Sequence, residues 1–206
     1  MAGLRERKKA VTRSVLSWAA IRLTVERGYD NVLVDDIAEA AGVSARTFNN
    51  YFSSKAEAIA SRHLDRSLRL VEALRARPAD EPLWAAIRAA SLAQFEPEPA
   101  IEESPPTSHA DWVSGLKVML AEPALQGEML RAVATAEAGL AAVVAERTGT
   151  DVKQDLYPNL VAATVSAAIN TVMRHFVYAD SPASIQQLLV EALDQVAAGL
   201  PAPAKR

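Results

Sequence analysis

The chain has 206 residues and a formal net charge of −3; half of its residues are hydrophobic and none is cysteine. The missing cysteines exclude disulfides, thiolate metal sites and cysteine nucleophiles, and the charged start MAGLRERKKAV lacks the apolar stretch of a signal peptide. No apolar run of membrane-spanning length is expected, so the chain reads as a cytoplasmic protein with no membrane partner.

Alanine is abundant, glycine is scarce and β-branched residues are dispersed, which favours helix nearly everywhere and predicts an all-α fold. Charge is divided unevenly along the chain. Through Arg75 there are 13 Lys and Arg against 9 Asp and Glu, a net +4; beyond it there are 9 against 16, a net −7. A basic binding module carried by an acidic body fits this asymmetry.

Residues 5–13, RERKKAVTR, hold five cations and one anion. Arg5, Lys8 and Lys9 are read as phosphate contacts from a flexible arm and the first helical turns. A helix follows, with Leu16, Ala20 and Leu23 on one face and Trp18 off that stripe, ending at Gly28. Next comes VDDIAEAAGVSARTFNNYFSSKAEAI, residues 34–59. It predicts a short helix with Ile37, Ala38 and Ala41 on its apolar face, a turn at Gly42, and a second helix N-capped by Ser44. The second helix carries Arg46, Thr47, Asn49 and Asn50, with Phe48 and Phe52 left to pack. Two helices braced across such a turn, one presenting guanidinium, hydroxyl and amide groups, suit the major groove of DNA. Ser54 and Glu57 then form a capping-box pattern that opens a long helix to about Arg75, with Lys55 in its first turn.

Residues from about Arg13 to Ile59 resemble the DNA-binding domain of TetR-family transcriptional regulators. The matching stretches are Glu26-Arg27-Gly28-Tyr29, Val34-Asp35-Asp36-Ile37-Ala38, Ala41-Gly42-Val43-Ser44 and Tyr51-Phe52-Ser53-Ser54-Lys55. The resemblance implies a three-helix reader, a fourth helix linking it to the body, and a helical C-terminal domain that binds an effector and dimerises. It also implies groove or phosphate contacts by Ser44, Thr47, Tyr51 and Lys55. The chain departs from the pattern at Leu33, where the family often has threonine as N-cap and phosphate contact. It departs again at Arg46, often a small residue, and at Asn49, commonly tyrosine. By chemistry Arg46 can pair with guanine, and Asn49 or Asn50 with adenine. The expected division is 1–53 for the reader, 54–76 for the linking helix and 77–206 for the effector and dimerisation domain.

In the body, Pro82 suits the first turn of a helix reaching about Phe95. The stretch Glu96–Asp111, with four prolines, five acids and no Lys or Arg, reads as an exposed connection. Ser108 and Asp111 form a capping-box pattern for a helix carrying Trp112, Leu116, Met119 and Leu120. A helix from Pro123 to Gly149 and an almost wholly apolar one from Pro158 follow. Ser181 and Pro182 suit the N-cap and N1 positions of the last helix. The helices at 158–179 and 182–199 are expected to form a homodimer interface, as the resemblance implies. Trp84, Trp112, Met119 and Met129 are candidates for an effector pocket, together with Asn170, Arg174 and His175, polar groups within an apolar helix.

The three histidines, His63, His109 and His175, show no metal-ligand spacing, and there is no phosphate-cradling glycine loop or nucleophile elbow. No catalytic residue, metal or cofactor is expected. A helical adaptor would explain the dimer helices and leave the basic reader unexplained. The sequence therefore predicts a TetR-like, dimeric regulator of double-stranded DNA, repressing from a palindromic operator and released by a small apolar effector.

Overall fold

The computed structural model describes residues 2–95, 109–179 and 183–202. Among them are nine α-helices and no strands: α1 Ala2–Arg27, α2 Val34–Ala40, α3 Ala45–Asn49, α4 Lys55–Arg75, α5 Leu83–Ala93, α6 His109–Ala121, α7 Pro123–Thr148, α8 Leu156–Tyr178 and α9 Ile185–Ala197. A 3₁₀ turn at Tyr29–Asn31 joins α1 to α2. The chain divides into two compact units, Met1–Asp65 with Pro97–Ala132 and Arg66–Glu96 with Val133–Arg206. The division falls inside α4 and α7, so α6 and the start of α7 group with the first three helices.

In the first unit, the stripe read from sequence on α1 is the core: Leu16 and Ala20 are fully buried and Leu23 nearly so, alongside Val32, Ile37, Phe48, Phe52 and Ile59. The Phe48 and Phe52 rings lie 5.7 Å apart at a tilted angle. Where α1 meets α4 the packing turns polar. The hydroxyls of Ser17 and Ser61 reach the Ala58 carbonyl at 2.6 and 2.8 Å. Arg13 donates to both carboxylate oxygens of Asp65 at 2.6 and 2.7 Å, and the Arg62 guanidinium lies 4.7 Å from the Trp18 ring centroid. Trp18 thus packs from off the apolar stripe as a platform for a cation. α6 comes close to α1 at a glycine: a Cβ on Gly115 would stand 3.0 Å from the Ile21 side chain.

The second unit is built on α8 and α9, with α5 against α9. Its core includes Leu74, Ile87, Val143, Val144, Val165, Leu189 and Leu193. Arg147 closes the loop after α4, donating to the carbonyls of Arg77, Pro78 and Glu81 at 3.1, 2.8 and 3.0 Å.

Several expected boundaries shift for local reasons. The basic N-terminus is not a flexible arm: it is helical from Ala2 onwards and continuous with α1. Pro82 is the N-cap of α5 and not its first residue, and the helix ends at Ala93. α8 starts at Leu156, two residues ahead of Pro158; the missing N–H of that proline falls in the first turn, where amides have no intrahelical partner. The last helix opens at Ser184, whose hydroxyl accepts from the Gln187 amide at 3.2 Å while the Gln187 side chain accepts from the Ser184 amide at 2.8 Å. Ser181 and Pro182, read as its start, lie outside the described residues, as does the Ser108 cap. α8 is also long and apolar enough, by length and composition, to cross a membrane, contrary to the sequence expectation. Its buried residues, among them Val161, Val165, Ile169 and Val172, form one packed face, while Leu156, Leu160 and Tyr178 are exposed.

Candidate nucleic-acid interface

The reader is shaped by two caps. At the end of α2, Gly42 takes φ +67°, the Val43 amide donates to the Ala38 carbonyl at 2.9 Å and the Gly42 amide to the Glu39 carbonyl at 2.9 Å. This is a Schellman closure, and it turns the chain sharply into α3. At the start of α3 the Ser44 hydroxyl accepts from the Thr47 amide at 3.1 Å and lies 3.0 Å from the Thr47 hydroxyl. Phe48 is fully buried, which pins the five-residue helix and turns Arg46, Asn49 and Asn50 outward; all three are exposed, as is Ser44. Thr47 and Tyr51 are half-buried beside them.

At the other end of α2, Leu33 stands in extended backbone at the N-cap, 64 % exposed, and its side chain makes no cap hydrogen bond. The Asp36 carboxylate takes over part of that role by accepting from the Leu33 amide at 2.8 Å, and Arg27 pairs with Asp36 at 3.5 Å. The acid thus tolerates a residue that cannot cap.

The predicted phosphate contacts separate into two groups. Lys8 and Lys9 are exposed on the first turns of α1; the Arg5 side chain lies outside the described residues. Lys55 is engaged inside the protein. Its ammonium donates to the Tyr29 carbonyl at 2.6 Å and the Val32 carbonyl at 2.9 Å, and it lies 4.0 Å from the Tyr29 ring centroid. Burial, then the charges of Glu122, Asp30 and Glu128, raise the Tyr29 phenol above its ordinary pKa. Arg7, a further exposed cation on α1, is a residue that sequence reasoning passed over although the same charge run contains it. The Arg13 of that run is occupied by Asp65 and stacks 5.2 Å from the Phe52 centroid.

The predicted effector residues do not form one set. Met119, 7 % exposed, and Met129, half-buried, belong to the first unit. Trp84 and Asn170, half-buried, belong to the second, where Arg174 and His175 are both exposed. The Trp112 side chain lies outside the described residues. An open groove of about 670 Å³ in the second unit runs between α5 and α9, lined by Leu92, Val190, Ala198 and Pro201 among others, and takes in none of these candidates. Among the described residues no group of three His, Asp or Glu is placed to hold a metal ion.

Comparison with known proteins bears on the whole chain. Residues 18–60 match the family model of the bacterial regulatory proteins, tetR family, and residues 81–201 match that of the MftR C-terminal domain. The chain belongs to the TetR family of transcriptional regulators. It is 33 % identical over 178 residues to the HTH-type transcriptional regulator TcmR of Streptomyces glaucescens, covering 84 % of this chain and 76 % of that one. It is also 33 % identical over 198 residues to the transcriptional regulator MftR of Mycobacterium tuberculosis, covering 94 % and 93 %. The fold is shared with the TetR-family repressor FadR of Thermus thermophilus, solved in complex with lauroyl-CoA, at a TM-score of 0.55 and 17 % identity over 94 % of this chain and 97 % of that one. This TetR-family chain is therefore a DNA-binding regulator of transcription, with α2 and α3 as its helix-turn-helix.

Proposed function

We propose that this TetR-family regulator is a repressor that binds a pseudo-palindromic operator as a homodimer and leaves it when a small, largely apolar effector binds the body. The observation that carries the reading is α3, a helix pinned by buried Phe48 that presents Arg46, Asn49 and Asn50 outward. Those side chains match the guanine and adenine edges of the major groove. Residues 1–53 act as the reader, 54–76 as the link, and 77–206 as the effector and dimerisation domain. Ser44, Thr47 and Tyr51 add groove or phosphate contacts.

Support for the dimer comes from α8. Opposite its buried face, Leu156, Leu160, Ala163, Ala167, Thr171 and Tyr178 recur at helical spacing and are exposed. Large apolar groups at both ends and small ones between allow a second copy to approach closely at the centre. The half-sites then lie a whole number of helical turns apart. The FadR complex with lauroyl-CoA supports an effector that is apolar over much of its length. An effector shifts the balance between conformations only by its difference in affinity for them. A protein that works on an operator is placed in the cytoplasm, beside the chromosome, and needs no catalytic group.

Selection of bound duplexes from a random library tests the reading. Enrichment of an inverted repeat, footprinted over both halves, is the expected outcome, and the footprint then serves to screen ligands for release. Enrichment of a single unsymmetrical half-site, or of no sequence, overturns it.

A further inference from the structure

The open groove between α5 and α9 shares no residue with the reader or with the exposed stripe of α8. Leu92 and Val190 give it an apolar wall, Glu191 and Asp194 bring carboxylates, and among the described residues no Lys, Arg or His lines it. Asp194 is paired with Arg88 at 3.2 Å, whereas Glu191 accepts a neutral amide hydrogen bond from Gln195 at 3.1 Å. The groove therefore keeps an excess of negative charge.

The end of α9 turns the chain towards this groove. The Gly199 amide donates to the Val196 carbonyl at 3.0 Å and the Leu200 amide to the Gln195 carbonyl at 2.8 Å, a Schellman closure. Gly199 takes φ +81° and Leu200 follows at +51°, the one non-glycine residue in left-handed backbone among those described. A leucine is strained there, and its side chain, 66 % exposed, gains little packing in return. Two left-handed residues in succession reverse the chain, and the next residue, Pro201, forms part of the groove wall. Beyond Ala202 the sequence runs Pro203-Ala204-Lys205-Arg206, apolar first and then cationic.

We propose that residues 203–206 lie in the groove of their own chain as a strap across α5 and α9, with Pro203 and Ala204 on the apolar wall and the cations against Glu191. Three features favour this occupant. The segment enters at a residue already in the wall, and its charge is opposite to that of the groove. Its length suffices, because residues 203–206 reach about 13 Å when extended, and Glu191 stands about 10 Å back along α9 from Ala198 by the rise of an α-helix. A tether this short also holds the segment at an effective concentration on the order of millimolar, which a second copy at micromolar concentration does not match. α5 is joined in turn to α4, where Arg69 donates to the Gln94 carbonyl at 3.3 Å, so the strap braces the end of α5 that adjoins the linking helix. The inference is independent of which operator or effector the protein recognises.

The chain has no cysteine, so an introduced disulfide has no competitor. The full chain carrying Val190→Cys/Ala204→Cys, treated with a mild oxidant at micromolar concentration, is expected to form an intramolecular disulfide, read by intact mass and by the peptides it joins. Adding Lys205→Glu/Arg206→Glu is expected to slow its formation several-fold, and molar salt, which screens exposed charges, to slow the original pair likewise. Absence of the disulfide overturns the proposal. So does a rate that ignores both the charge reversal and salt, because such a rate reports the tether alone. Chains with Val190→Cys mixed with chains with Ala204→Cys are expected to stay largely unjoined; joining as fast as in the double variant gives the groove to the tail of a second copy and overturns the proposal too. Backbone nitrogen relaxation of Ala204 and Lys205 in the wild-type chain needs no substitution. Both are expected to be as ordered as the helices, and free picosecond-to-nanosecond motion refutes the strap.

Discussion

Phe48 and Arg46 sit two residues apart on α3 and do opposite jobs. Phe48 is fully buried against Phe52, so Phe48→Ala leaves a cavity under the recognition helix and is expected to cost about 3–5 kcal/mol in urea denaturation. Arg46 is exposed, so Arg46→Ala is expected to leave the denaturation midpoint unchanged. It should instead remove about 1–3 kcal/mol of discrimination at one base pair, measured by competition between the enriched duplex and its single-base variants. Equal effects of the two substitutions on stability would contradict this division. Farther along, the Arg77 guanidinium donates twice to the Glu81 carboxylate, each at 2.6 Å. That bonding holds the Glu81 carboxyl below its ordinary pKa. A depressed folded pKa means the pair stabilises the fold above the ordinary carboxylate range, and this contribution is lost as pH falls through the lowered value. Carbon-detected titration of Glu81 should show a midpoint below that of an ordinary glutamate, and Arg77→Gln should restore it; a midpoint that does not move on substitution refutes the pairing.

At the scale of elements, the turn between α2 and α3 depends on one backbone conformation. A Cβ at Gly42 would meet nothing within 4 Å, so the cost of Gly42→Ala is the left-handed backbone alone, about 1–2 kcal/mol. Chemical denaturation checks that figure; a neutral substitution would mean that α2 ends in some other way. Most elements are legible in the sequence because stripes such as Leu16-Ala20-Leu23 and caps such as Ser44 act over four residues. The errors at helix starts have the same local origin. The last helix opens on Ser184-x-x-Gln187, where serine and glutamine satisfy each other's amides. The basic start of α1 reads as a flexible arm because its charges disfavour helix locally; continuity with the packed part of α1 outweighs them.

For the whole molecule, the exposed stripe on α8 is the surface on which the proposed dimer rests. Ala163→Glu places a carboxylate at the centre of the proposed interface, where burying an unpaired charge is costly. The variant is expected to sediment as a monomer at micromolar concentration with unchanged helicity and to lose cooperative binding to the inverted repeat. A variant that remains dimeric would place the interface elsewhere. The effector site resists sequence reading for a related reason. Trp84, Met119, Met129, Asn170, Arg174 and His175 lie on α5, α6, α7 and α8, are distributed over both compact units, and range from buried to exposed. Periodicity shows which side of its own helix a residue occupies and carries no information on what lies across from it.

By itself the sequence determined the all-helical class, the helix-turn-helix and its outward-facing Arg46, Asn49 and Asn50, because capping, turn chemistry and helical period are properties of neighbouring residues. Only the tertiary structure decided what the long polar side chains do. Lys55 reaches back to Tyr29 and Val32, Arg13 reaches forward to Asp65, and Arg147 returns to the loop at Arg77–Glu81. A charge on a flexible stem takes the partner that folding brings within about 3 Å, and that partner lies dozens of residues away in the chain.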